Sequence, residues 1–187
     1  MAKLTLPSDR MPEVEVSLRL AFYLVALKTS KKIVKVAIDG ASVKLTRPPF
    51  SIMEFLAGNG WVPSKENAPG KWQGEYQKDK LRLVIHSKPD VGDVVCHIGN
   101  RRVWAEVKKG PLEGKKGNPE FGLLRCAIGH LMTIEGKQST DVLIAAVPTS
   151  PKFKELRKEW MNTPQMKKVG IQIVLVGRDG RVEGLSV

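Results

Sequence analysis

The chain is short of the residues that staple small folds together. Its 187 residues include only two cysteines and three histidines. Cys96 and Cys126 form no CxxC pair and no zinc spacing, which excludes a disulfide scaffold and argues against a zinc site. Cys96 falls in an apolar run and Cys126 in a helical pattern, as expected of a chain kept in a reducing, cytoplasmic setting. No stretch approaches the roughly 20 apolar residues of a membrane span, and the first residues lack the apolar core of a signal peptide. A membrane partner is therefore not expected. Internal repeats, low-complexity tracts and linkers are also missing, so residues 1–187 read as a single domain with one core. Acidic residues are scarce beside basic ones, 19 against 31, for a net charge of +12. Such an excess favours polyanions, nucleic acid first, through counterion release.

What is present alternates between helical and strand patterns. Pro12 precedes a helical pattern running to about Leu27, with Val14, Leu18, Ala21, Phe22, Val25 and Ala26 at helical spacing. Glu13 and Glu15 open it, where carboxylates suit the positive end of the helix dipole. The runs 33–38 and 41–46 flank Asp39-Gly40, a hairpin signal, among Lys28, Lys31, Lys32 and Lys35. Residues 51–57 read as a short helix stopped by Gly58, Asn59 and Gly60. A second hairpin is expected over Lys78-Asp79. Trp61, Trp72 and Tyr76 lie among lysines there; packing explains most aromatics so placed, and stacking on unpaired bases explains the rest. Asn118-Pro119 starts a helix through Ile134, residues 142–147 read as a strand buried on both faces, and Ser150-Pro151 caps a helix to about Met161. A terminal hairpin turns around 178–180. The whole reads as α/β, a mixed sheet flanked by helices.

The stretch Pro89–Gly110 (PDVGDVVCHIGNRRVWAEVKKG) carries the most chemistry. With Gly99-Asn100 as a two-residue turn, Ile98 faces Arg101 and the pairing extends until Asp93 stands opposite Glu106. Alternation then places Asp93, Val95, His97, Arg102, Trp104, Glu106 and Lys108 on one face, and an apolar set with Val94, Cys96, Val103, Ala105 and Val107 on the other. Two facing carboxylates repel; a divalent cation reverses the sign of that interaction, because Mg²⁺ takes hard oxygen ligands. On this reading Glu106→Ala relieves repulsion and leaves the metal-free protein no less stable. Lys108 points the same way, placed to orient a water or to neutralise charge on a phosphate. A solvated hairpin face with Lys108 paired to the acids is the alternative. Asp90, after Pro89, is a second candidate ligand, but the register turns it to the opposite face unless Gly92 hosts a bulge.

An aspartate, a short hairpin and then Glu-x-Lys on the next strand resemble the PD-(D/E)xK nuclease superfamily. The resemblance extends to RCAIGHLMT (125–133), similar to the family's Arg-x-Ala-x-Gly-Gln-Leu helix, with His130 where glutamine is usual. It covers about residues 88–148. It implies a restriction-endonuclease-like core in which Asp93, Glu106 and the Val107 carbonyl hold Mg²⁺ or Mn²⁺, and Asp93, Glu106 and Lys108 form the catalytic set. Some members use a glutamate of the first helix; here helix-end chemistry is the preferred role for Glu13 and Glu15. Lys115, Lys116 and Arg125 border the proposed site and are expected to grip nucleic acid. The function expected is therefore metal-dependent hydrolysis of phosphodiester bonds in DNA. A non-catalytic nucleic-acid-binding protein on the same fold is the alternative. RNA as substrate, the choice between ends and internal sites, and a homodimer stay open, since no residue pattern here reads a 2′-hydroxyl.

Overall fold

Caps and periodicity set the helices, and period-two alternation sets the strands between them. The structure, a computed structural model, describes residues 6–40, 49–65, 67–68, 70–88, 92–114 and 118–187. Its strands are β1 (Arg10–Met11), β2 (Ser30–Ala37), β3 (Val62–Pro63), β4 (Gly74–Lys78), β5 (Leu81–His86), β6 (Val94–Ile98), β7 (Arg101–Val107), β8 (Gly110–Pro111), β9 (Val142–Pro148), β10 (Ile171–Val176) and β11 (Val182–Glu183). Its helices are α1 (Glu13–Ala26), α2 (Ile52–Gly58), α3 (Pro119–Met132), α4 (Pro151–Met161) and α5 (Pro164–Val169). Ser51, Ser150 and Thr163 cap α2, α4 and α5 by accepting the N–H three residues on, which satisfies one otherwise orphaned donor at each start. Asn118 sits before α3 in a left-handed conformation and makes no side-chain cap.

Nine strands form one mixed sheet in the order β11-β10-β9-β7-β6-β2-β5-β4-β3, and β1 pairs with β8 alone. β7, β9 and β10 run parallel, whereas β6 is antiparallel to both β7 and β2. Helices cover both faces. α1 packs Leu18, Leu20, Ala21 and Leu24 into a cluster with Val34, Val36, Val94, Cys96, Val103, Ala105 and Val107. On the opposite face Leu124, Ala127 and Leu131 of α3 and Phe153 and Leu156 of α4 meet Trp104, Leu143, Ala145, Ile173 and Leu175. Every residue of β9 is buried, as expected of a central parallel strand with helices on both sides. Truncating such a leucine to alanine costs roughly 2–5 kcal/mol, because the void collapses only in part.

Several sequence expectations are corrected. Both edges of β2 are taken, by β5 and β6, so no edge remains at 33–37 for a hairpin over Asp39-Gly40; residues 41–48, which would form its second arm, lie outside the described residues. The β4–β5 turn falls on Asp79-Lys80, one residue later than Lys78-Asp79, with Asp79 at φ +53°. Trp61 and Tyr76 are buried in the core, which rules them out as stacking platforms. β1, β8 and α5 were not foreseen: two-residue pairings and a six-residue helix carry too little periodicity to be read. Among the described residues, no helix is long and apolar enough to cross a membrane.

Candidate active site

The turn between β6 and β7 fixes everything that follows. Gly99 has φ +59° while Asn100 stays out of the left-handed region, the pattern of a type II′ turn whose twist matches the flanking strands. The pairing then runs from Ile98↔Arg101 through His97↔Arg102 and Val95↔Trp104 to Val94↔Ala105, which is the register read from the sequence. The ladder ends there, one step short of the expected pairing of Asp93 with Glu106. Asp93 donates its N–H to the Ala105 carbonyl (2.8 Å), and its own carbonyl accepts from Ala37 N (2.8 Å). Asp93 and Val94 thus share one residue of β7, a bulge-like break in alternation. Gly92 makes it feasible: its φ is +85°, and a Cβ there would lie 3.2 Å from the Ala105 carbonyl oxygen.

The break turns the Asp93 carboxylate toward the end of β7. Its Oδ2 accepts the Val107 N–H at 2.7 Å. Within a strand the N–H and C=O of one residue point to the same neighbour, so the Val107 carbonyl faces the same edge as Asp93. Glu106 lies alongside, 9% exposed. Its Oε1 receives Lys108 Nζ at 2.7 Å and His130 Nδ1 at 2.6 Å. Glu13, at the start of α1, closes the group by accepting the Lys109 N–H at 3.4 Å. Burial first, and then the charge of Glu106, push the Asp93 carboxyl up to about 7, against the opposing pull of the Val107 N–H and Lys108; Glu13 adds a small upward push. Burial works to lower the Lys108 ammonium, yet its hydrogen bond to Glu106 and the charges of Glu13, Glu106 and Asp93 outweigh that and hold it above the ordinary lysine value. Lys108 therefore stands as a cation beside the acids.

Of the residues named from the sequence, Asp93, Glu106, Val107 and Lys108 converge. Arg125 does not join them: it is exposed on α3, its guanidinium lying 5.7 Å from the Phe121 ring centroid. Asp90, Lys115 and Lys116 lie outside the described residues. Two further corrections concern Glu106. Its face of the hairpin is not open, since α3 covers it and leaves Trp104 only 8% exposed. Its removal would also strip Lys108 and His130 of their shared partner, so Glu106→Ala is expected to destabilise rather than to relieve strain. Sequence reasoning missed that Glu13 approaches the site and that His130 binds Glu106. His130 sits where the resembled family has glutamine, and its Nδ1–H makes the donation an amide could make; its Nε2 lies 3.6 Å from Cys126 Sγ. Glu15, the other acid of the first turn, is fully buried between Arg19 and Arg178 and serves the core.

The donor set is all hard oxygen: two carboxylates and a backbone carbonyl. Among the described residues no three His, Cys, Asp or Glu side chains form a ready metal cage. An ion here would keep several waters, which suits Mg²⁺ and Mn²⁺ rather than zinc. Asp93, pressed toward its neutral form by burial and by Glu106, is the kind of group that a divalent cation returns to the ionised state. Comparison with family models, with curated proteins and with solved structures returned no match.

Proposed function

We propose that this chain is a divalent-metal-dependent nuclease that hydrolyses phosphodiester bonds in DNA, built on a restriction-endonuclease-like core of the PD-(D/E)xK kind. The observation that carries the reading is the convergence of Asp93, Glu106, the Val107 carbonyl edge and the Lys108 cation at one end of a hairpin, with burial and Glu106 pushing Asp93 up to about 7. The order of elements supports it: a helix (α1), an antiparallel trio (β2, β6, β7), a crossover helix (α3) and a parallel strand (β9), with Asp93 just before β6 and Glu106 on β7. The net charge of +12 supports a polyanionic substrate.

Asp93, Glu106 and the Val107 carbonyl would hold the ion. Bound there, Mg²⁺ or Mn²⁺ supplies acidification of a water and screening of charge on the phosphate. Lys108 contributes a fixed positive charge next to the attacked phosphorus and orients the nucleophilic water; held protonated by three acids, it does not act as the base. His130 holds the Glu106 side chain in place, as partners behind the ligands of metal sites do. Glu13 fixes the backbone of Lys109 and so the direction of Lys108. The test is incubation with linear, circular and single-stranded DNA in Mg²⁺ or Mn²⁺ against EDTA. Cleavage confined to the metal-containing reactions supports the reading, and its absence from every substrate contradicts it.

A further inference from the structure

At the other end of the same hairpin is a second polar site that the acid pair does not use. A cleft of about 70 Å³ opens beside the Gly99-Asn100 turn, lined by His97, Asn100, Arg102, Gln138 and Asp141. At roughly 10–15 Å³ per water in this measure, it has room for about five waters or one tetrahedral oxyanion. Every lining side chain is polar. His97 and Arg102 face each other across β6 and β7. Lys35, opposite Val95 on β2, stands on the same face of the sheet.

The one acid in the cleft is already committed. Asp141 Oδ2 accepts from Trp104 Nε1 at 3.1 Å and from the Gln138 N–H at 3.0 Å. It thereby fastens the loop after α3 to the hairpin. Arg102 lies with its guanidinium carbon 4.9 Å from the Trp104 ring centroid. Its charge is felt by Asp141, whose carboxyl it helps to hold below the ordinary value, but among the described residues no carboxylate comes within ion-pair distance of it. A guanidinium held over a ring at an exposed position keeps N–H donors for planar or tetrahedral oxyanions. The field in the cleft is positive: burial first, and then Lys31 and Arg102 with a smaller part from Lys35, hold His97 below its ordinary value, with Asp141 opposing.

We propose that this cleft binds the terminal phosphate monoester of a nucleic-acid strand, with Arg102 as the principal contact and His97, Asn100 and Gln138 as further donors. Arg102 lies four residues before Glu106 on β7, about 14 Å at 3.4 Å per residue. Trp104, which α3 covers, lies between the two, so a strand whose phosphorylated end is held there would reach the acid pair around α3, a few nucleotides inward. This rests on the nuclease reading and gives it a substrate class, strands with a phosphorylated end; the binding half of the test does not depend on cleavage.

The test uses the full chain. Inorganic phosphate, and then an oligonucleotide in three forms (5′-phosphate, 3′-phosphate, hydroxyl ends), are titrated into the protein in EDTA. The imidazole signals of the three histidines are followed by NMR and oligonucleotide affinity by fluorescence anisotropy. Phosphate should move the His97 signals and leave those of His86 and His130 in place. One phosphorylated form should bind at least about tenfold tighter than the hydroxyl form, equivalent to about 1.4 kcal/mol. Arg102→Gln, at an exposed position, should abolish both effects and lower binding of the hydroxyl form only by the general electrostatic share of one positive charge. Equal affinity for all three oligonucleotides overturns the proposal, even if free phosphate binds. So does an end preference that survives Arg102→Gln. Loss of metal-dependent cleavage with the end preference intact sinks only the nuclease reading.

Discussion

Asp93→Asn should make the metal-free protein more stable, and only at neutral and higher pH. Burial and Glu106 push the folded carboxyl up to about 7, from an ordinary aspartate value of 3.8. Between those values the native state keeps a proton that the unfolded chain has lost, so stability falls as pH rises through that window and is level above it. Each pH unit separating the two titrations corresponds to about 1.4 kcal/mol, which sets a ceiling of roughly 4 kcal/mol on the penalty. Asparagine removes the charge, keeps an oxygen for the Val107 N–H, and no longer faces Glu106 as a like charge. We expect a gain of about 2–4 kcal/mol near pH 8, shrinking to nothing near pH 4, by urea denaturation in EDTA. Added Mg²⁺ should stabilise wild type by mass action and leave the variant unchanged. A variant that is no more stable than wild type near pH 8 would refute the reasoning, because it would mean that Asp93 is ionised at no cost in the fold.

Gly92→Ala should cost about 1–3 kcal/mol, since the left-handed backbone and the close Ala105 carbonyl both resist a Cβ; a loss under about 0.5 kcal/mol in urea denaturation counts against the bulge as the device that aims Asp93. Glu120→Leu should stabilise the protein, by about 1–3 kcal/mol in the same assay. Glu120 is fully buried on the stripe of α3 that carries Leu124, Ala127 and Leu131, and neither carboxylate oxygen has a partner among the described residues. Affinity for duplex DNA should fall linearly with the logarithm of salt concentration, by roughly 0.9 per phosphate neutralised; binding that is flat between low and moderate salt is incompatible with the electrostatic account.

The hairpin was legible because two local rules specify it. Gly99-Asn100 fixes the turn, and period-two alternation then assigns every side chain from Val94 to Val107 to a face. The helix start at Ser150 was legible for the same reason, since a cap is a neighbour effect. The features that escaped are tertiary. Nothing in the spacing of Glu13 announces that the first turn of α1 meets the end of β7 ninety-odd residues later, and helix-end chemistry explained it equally well. His130 binds Glu106 only because α3 lies across that face of the sheet, which also buries Trp104. A bulge at Gly92 reads in the sequence as a route for Asp90, whereas the break falls between Gly92 and Val94 and redirects Asp93 instead. A break in alternation leaves no trace in the very pattern from which the strand is read.

The most direct measurement is DNA cleavage in Mg²⁺ by wild type beside Asp93→Asn, Glu106→Gln and Lys108→Ala, each first checked for native folding. The account predicts metal-dependent cleavage by wild type, abolished by EDTA and reduced by about 100-fold or more in each variant, the scale on which losing a charge-stabilising group acts. Undiminished cleavage by folded Asp93→Asn and Glu106→Gln would contradict it.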